Sequence, residues 1–262
     1  MNLRSTLTAA VFTFSLNAIS HPATAQVQTP TVTPSMLSTP AVMPPSTPPH
    51  PTGDFANLQR YRDDNAALPP AAPGQQRVVF MGDSITDNWG RGANTGTFFP
   101  GEPYINRGIS GQTTPQMLLR FQQDVVHLSP AVVVINAGTN DIAGNTGPST
   151  PEMIEDNLTS MVQIAQSNGI RVVLASITPA FAYPWRPGTF PTQTIRAVNQ
   201  WMQTFCTTNH CIYLDYYTPM ADPHGAMLPG YSSDGVHPLA KGYAVMAPLA
   251  EKAIAAAKAM NR

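Results

Sequence analysis

The chain has 262 residues, 11% of them charged and 42% hydrophobic, with a formal net charge of −1. That length holds one ordinary domain or two small ones, with ample apolar content for a packed core. The sparse, nearly balanced charge forms neither a basic stripe of the kind that holds nucleic acid nor an acidic tail.

Residues 1–25 read as a secretory signal. Arg4 supplies a positive start, the run from Leu7 to Ile19 is mostly apolar, and Ala23-Thr24-Ala25 offers small residues for cleavage before Gln26. The run is too short and too polar to span a bilayer, and the alternative is a frayed amphipathic N-terminus. The expected location is therefore secreted or periplasmic. No cysteine stands near the cut, so a lipid anchor on a processed N-terminal cysteine is not expected. Residues 26–53 are rich in Pro and Thr, with Pro44-Pro45 and Pro48-Pro49. Such a stretch cannot bury enough apolar surface to offset its ordering entropy, which predicts a disordered tether. A folded domain is expected over 54–262.

The first element of that domain is expected to be a packing helix over 54–68. Asp54 is placed to cap it, with Phe55, Leu58, Tyr61 and Leu68 on one face and Arg60, Arg62, Asp63 and Asp64 on the other. Pro69-Pro70 and Pro73-Gly74 then break the chain. Strands are expected at Arg77–Met81, Tyr104–Asn106, Ala131–Asn136, Arg171–Ser176 and Cys211–Asp215. The unalternating run Val132-Val133-Val134-Ile135 suits a parallel sheet covered on both faces. Helices are expected from Pro115, from Pro151 with Thr150 as cap and Gly169 as stop, over Thr194–Thr207, and over Leu239–Met260. Alternating strands and helices imply an α/β fold, a three-layer α/β/α sandwich around a central parallel sheet.

Chemistry concentrates on the turns that leave these strands. Gly82-Asp83-Ser84-Ile85-Thr86 follows an apolar strand, so the Ser84 hydroxyl can rise above the sheet edge. Far downstream, Asp234-Gly235-Val236-His237-Pro238 places a carboxylate and an imidazole three positions apart. A serine nucleophile needs a base to take its proton and a carboxylate to orient that base, and Ser84, His237 and Asp234 supply all three. Read alone, Asp234–Pro238 is also ordinary turn chemistry. An oxyanion needs waiting donors. The loops Asn106–Gly111 and Gly138–Asp141 offer backbone N–H groups and the Asn140 side-chain amide. No Gly-x-Ser-x-Gly elbow is present, and Walker and Rossmann glycine patterns are missing.

The blocks Gly82-Asp83-Ser84-Ile85-Thr86, Gly111, Gly138-Thr139-Asn140-Asp141 and Asp234-Gly235-Val236-His237-Pro238 resemble, in order and spacing, the four blocks of the SGNH (GDSL) hydrolase family. The likeness runs from about Arg77 to the last helix. Asn106–Thr114 is similar to the branch of platelet-activating-factor acetylhydrolase-like and lysophospholipase-like esterases. The resemblance implies a flavodoxin-like sandwich with Ser84 as nucleophile, His237 as base and Asp234 as its partner. It also implies an oxyanion hole made by the Ser84 N–H, the Gly111 N–H and the Asn140 side chain. Gln112 departs from the many relatives that carry an acid after the glycine; the expectation from the resemblance is altered local hydrogen bonding and none of the catalytic roles just named.

Tyr183 and Trp185, in the loop after the fourth strand, either line a substrate pocket or cover the sheet, and Arg186 is a candidate contact for an anionic substrate group. Cys206 and Cys211 are expected to form a disulfide, which export permits. The alternatives are two separate buried thiols, or a metal site with His210 that lacks a fourth ligand nearby. No cofactor or metal is called for. The expected activity is a serine esterase removing a short, acetyl-like acyl group from a small ester, a carbohydrate or a lipid. An acyltransferase on the same scaffold and a non-catalytic glycan-binding domain are the alternatives, and oligomeric state is not readable from the sequence.

Overall fold

The computed structural model describes residues 53–260 apart from Ala93. The signal segment and all but the last residue of the tether lie outside the described residues. Five strands, β1 (Val78–Gly82), β2 (Tyr104–Gly108), β3 (Val132–Asn136), β4 (Arg171–Ala175) and β5 (Ile212–Leu214), form one sheet in the order β2-β1-β3-β4-β5. Every neighbouring pair is parallel, with Val78 opposite both Tyr104 and Val132 and Val132 opposite Arg171. This is the flavodoxin-like order, whose switch point lies between β1 and β3.

The all-apolar strands are explained by cover on both sides. On one face Val79, Met81, Val133, Ile135, Val172 and Leu174 pack with helices α3 (Thr114–Asp124), α5 (Pro151–Ser167) and α6 (Thr192–Thr208), through Met117, Phe121, Leu158, Met161, Val198 and Met202. On the other, Val78, Phe80, Val132, Val134 and Val173 pack with α8 (Ala240–Ala259) through Tyr243, Met246, Ala250 and Ile254. Each such fully buried side chain contributes about 1.5–3 kcal/mol. Phe80, Trp89, Phe98, Phe99 and Tyr104 extend this second layer as an aromatic cluster with neighbouring ring centroids 5.0–6.1 Å apart. The fold is the expected three-layer α/β/α sandwich.

Local signals act where they were read. Thr150 caps α5 by accepting from the Met153 N–H at 3.3 Å, Pro151 opens the helix, and Gly169 lies just past its end at φ 71°. The N-terminal segment differs. The helix expected over 54–68 is confined to α1 (Arg62–Ala67). Upstream of it the chain makes successive turns, with Asn57 at φ 54°. Asp54 does accept from a downstream N–H, that of Gln59 at 2.8 Å. The carbonyls that a helix would satisfy are taken instead by α3 and the loop before it: Gln116 donates to Phe55 O, Gln112 to Ala56 O and Gln123 to Leu58 O. Ala56 and Tyr61 are the buried members, while Phe55 and Leu58 are 40% and 38% exposed.

Cys206 and Cys211 are bonded, joining the end of α6 to the start of β5 across five positions. Closing so short a loop constrains the unfolded chain by about 2 kcal/mol in the chain-entropy picture. Reduction is expected to lower the urea midpoint by that equivalent and to leave ester turnover in native buffer unchanged. Paired urea titrations with and without reductant check this.

Candidate active site

The turn after β1 becomes the short helix α2 (Ser84–Asp87), capped by Asp83, whose Oδ1 accepts from the Ile85 N–H at 2.9 Å. Three neighbours hold this turn. Tyr243 of α8 donates its hydroxyl to the Ile85 carbonyl at 2.7 Å. Asn106, in the middle of β2, donates to the Thr86 carbonyl at 2.6 Å. Asp87 accepts from the Ser110 N–H and hydroxyl at 3.1 and 2.7 Å. The approach of α2 to β2 needs Gly108, since a Cβ there would stand 2.1 Å from the Asp87 nitrogen.

Ser84 Oγ lies 2.8 Å from His237 Nε2, and His237 Nδ1 lies 2.6 Å from Asp234 Oδ2. A carboxylate only accepts, so Nδ1 carries the proton and the Nε2 lone pair faces the serine hydroxyl. Asp234 Oδ1 accepts the Val236 and His237 N–H groups at 2.9 and 2.8 Å and the Ser232 hydroxyl at 2.9 Å. Burial alone would raise Asp234, but bonds from the His237 ring, the His237 and Val236 N–H groups and Ser232 outweigh it and hold it at about 2. Asp234 therefore stays ionised throughout the neutral range.

The other two turns that leave the sheet at this edge are hydrogen-bonded to each other. Gly111 lies at φ 80°, and its N–H has no acceptor among the described residues. In α4 (Thr139–Ile142), after β3, Asn140 is fixed from both ends of its amide. Asn140 Nδ2 donates to the Gln112 carbonyl at 3.0 Å, and its Oδ1 accepts from Asn145 at 2.8 Å. Asn145 also donates to the Gly111 carbonyl at 3.1 Å, so one side chain joins both loops. Asp141 locks α4 to the start of α3, taking the Thr114 N–H and hydroxyl at 2.9 and 2.6 Å. Burial raises Asp141 to about 6 against those bonds. Burial likewise raises Asp83 to about 7, opposed by the Ile85 N–H and by His237.

Tyr183 and Trp185 are in different situations. Tyr183 is 1% exposed and shares a 2.9 Å hydrogen bond with Thr139. Trp185 is 38% exposed, stands 5.9 Å from the His237 ring centroid to centroid, and donates its indole N–H to Asn145 at 3.1 Å. Arg186 donates to the Gly144 carbonyl at 2.8 Å, fastening its loop to the loop of Asn145. A pocket of about 380 Å³ beside Asp234 and Gly235 is walled by Phe181, Tyr183, Pro184 and Met227. The whole arrangement can deprotonate an alcohol as it attacks and offer N–H donors to a developing anion.

The model of the GDSL-like lipase/acylhydrolase family matches residues 80–245, which take in every group just described. The chain belongs to that family. It is similar to the solved structure of a GDSL-like lipase from Bacteroides thetaiotaomicron VPI-5482, at 44% identity and TM-score 0.74 over 78% of this chain and 99% of that one. It is 33% identical over 112 residues to the esterase TesA of Pseudomonas aeruginosa, covering 39% of this chain and 54% of that one. It is 35% identical over 78 residues to an uncharacterized lipoprotein, YqeF, of Bacillus subtilis strain 168, covering 29% of this chain and 32% of that one. The chain thus spans 32% and 54% of the lengths of these two curated relatives. Membership places it among the serine ester hydrolases as a class.

Within this GDSL-like frame, sequence reasoning missed Asn145, Tyr243 and Arg120. Asn145 looks like any turn former in Gly144-Asn145-Thr146-Gly147. Tyr243 reads as one more apolar position on α8. Arg120 reads as a solvated charge on α3, yet it is fully buried and donates to the carbonyls of Gly82 and Arg107, the Gln112 side chain and Asp124.

Proposed function

We infer that this chain is an exported serine esterase that hydrolyses carboxylic esters of short, acetyl-like acyl groups on a carbohydrate or lipid, through an acyl-Ser84 intermediate. The observation that carries the reading is the unbroken contact series from Ser84 Oγ through the His237 ring to Asp234. Ser84 Oγ attacks the ester carbonyl carbon as its proton passes to His237 Nε2. The imidazolium is balanced by Asp234. The tetrahedral oxyanion takes the Ser84 and Gly111 N–H groups and the second Nδ2 hydrogen of Asn140. Collapse breaks the bond to the alcohol, which leaves with the proton from Nε2. Water then repeats the sequence on the acyl-serine and frees the acid.

Trp185 supplies an exposed aromatic wall beside His237, and Tyr183 lines the neighbouring pocket. Both are assigned here to substrate binding. Export is supported by the Cys206–Cys211 disulfide and by the signal-like N-terminus. Among the described residues no helix is long and apolar enough to cross a membrane.

The test pairs labelling with a substrate series. A fluorophosphonate should attach to Ser84 in the native protein, and p-nitrophenyl esters from acetyl to decanoyl should show the highest kcat/KM at the short end. Absence of labelling with no hydrolysis of any ester would overturn the enzymatic reading. A preference for long chains would overturn the short-acyl assignment.

A further inference from the structure

The polar contacts of the N-terminal segment are not spent on the core. Of residues 54–58, Ala56 is the buried member, and the segment's carbonyls point at side-chain donors on the loop and helix that follow β2. The central joint is Gln112, which directly follows Gly111 and is 3% exposed. Its carbonyl accepts the Asn140 amide at 3.0 Å. Its side-chain oxygen accepts Arg120 Nε at 2.5 Å, and its side-chain nitrogen donates to the Ala56 carbonyl at 2.7 Å. One residue thus faces the Asn140 amide on one side and residue 56 of the N-terminal segment on the other.

A second joint lies one turn away. The Tyr61 hydroxyl donates to the Gly108 carbonyl and accepts from Arg91 at 2.9 Å. Arg60 and Arg107 stand over its ring at 4.5 and 4.7 Å. Both joints grip the two ends of the same short stretch, Gly108 to Gln112, that carries the Gly111 N–H. The amide at position 112 is dictated by its surroundings. The side chain must accept from a buried guanidinium and donate to a buried carbonyl at once, which an ionised carboxylate or a thioether of equal length cannot do.

We propose that the strap formed by Asp54–Tyr61 is a positioning device for the oxyanion donors, acting through Gln112 and Tyr61 on the Gly111 N–H and the Asn140 amide. This rests on the oxyanion assignment above. Neither residue touches the substrate, and their effect is on where the donors stand when the anion forms. Sub-ångström placement matters there, since a misplacement of about 1 Å costs up to about a hundredfold in rate.

The test uses the full chain carrying Gln112→Glu or Tyr61→Phe, assayed on p-nitrophenyl acetate, with amide hydrogen exchange followed over 55–61. The expected result for Gln112→Glu is a kcat about ten- to a hundredfold lower with KM within about twofold of wild type. Exchange should be faster across the strap. Tyr61→Phe keeps the ring under its arginines and should lower kcat about three- to tenfold with the same KM. If Gln112→Glu fails to fold, Tyr61→Phe decides alone. A kcat within twofold of wild type in the folded variants, with the strap released or not, overturns the proposal, and so does a loss expressed wholly in KM. Failure of the oxyanion assignment itself is separate, because it would appear as an unchanged kcat in Asn140→Ala.

Discussion

Ser84→Ala is expected to lower kcat/KM on p-nitrophenyl acetate by about 10⁴- to 10⁶-fold while the thermal midpoint stays within a few degrees of wild type. Among the described residues the hydroxyl makes one hydrogen bond, to His237, so its loss is expected to remove the attacking atom and little of the packing. What survives is water attacking an ester still held beside the oxyanion donors. His237→Ala should cost nearly as much, and the double variant little more than either alone, because nucleophile and base act as one unit. Steady-state kinetics of the three variants, with intact-protein mass spectrometry to seek the acetyl adduct in wild type, read this directly. Ser84→Ala protein retaining more than about a hundredth of wild-type rate would move the nucleophile elsewhere.

Asn140→Ala should reduce kcat by about a hundredfold to a thousandfold, equivalent to about 3–4 kcal/mol of transition-state stabilisation, with KM little changed. The kcat-only signature follows from when the contact forms. The ester carbonyl in the ground state does not reach the donors as the tetrahedral oxyanion does, so the interaction is made in the transition state. Asn145 and the Gln112 carbonyl hold the Asn140 amide in its orientation before substrate arrives, so little reorganisation opposes the reaction. Asn140→Asp should fall at least as far. Its carboxylate would face both the developing anion and the Gln112 carbonyl. Pre-steady-state acylation rates test this without interference from deacylation.

Much of this molecule was legible residue by residue. The run Val132–Ile135 is apolar without alternation because β3 lies between two helical layers, and that condition can be read without coordinates. Thr150-Pro151 and Gly169 carry their helix boundaries in local backbone chemistry. The GDSL-like blocks are short because Asp234 and His237 meet through a single loop. The N-terminal segment was not legible. Its apolar spacing fits a helix, but glutamines 56 to 65 positions away claim the Phe55, Ala56 and Leu58 carbonyls that a helix would need. Tyr183 and Trp185, two positions apart and alike in composition, separate into a buried hydroxyl on Thr139 and an exposed ring over His237. Arg186 shows the same limit: a cation suited to a substrate anion also bonds the Gly144 carbonyl, a loop-to-loop contact that the sequence does not announce.

By itself the sequence determined the alternation of strands and helices, the blocks that carry the candidate site residues and the short-range caps and turns. All of these depend on neighbours within a few positions or on residue type. Only the tertiary structure decided the strand order, the orientation of the Asn140 amide, the burial of Arg120 and the clasp between residue 112 and residue 56. Those rest on hydrogen bonds between segments distant in the chain, each made because a buried donor or acceptor must find a partner once water is excluded.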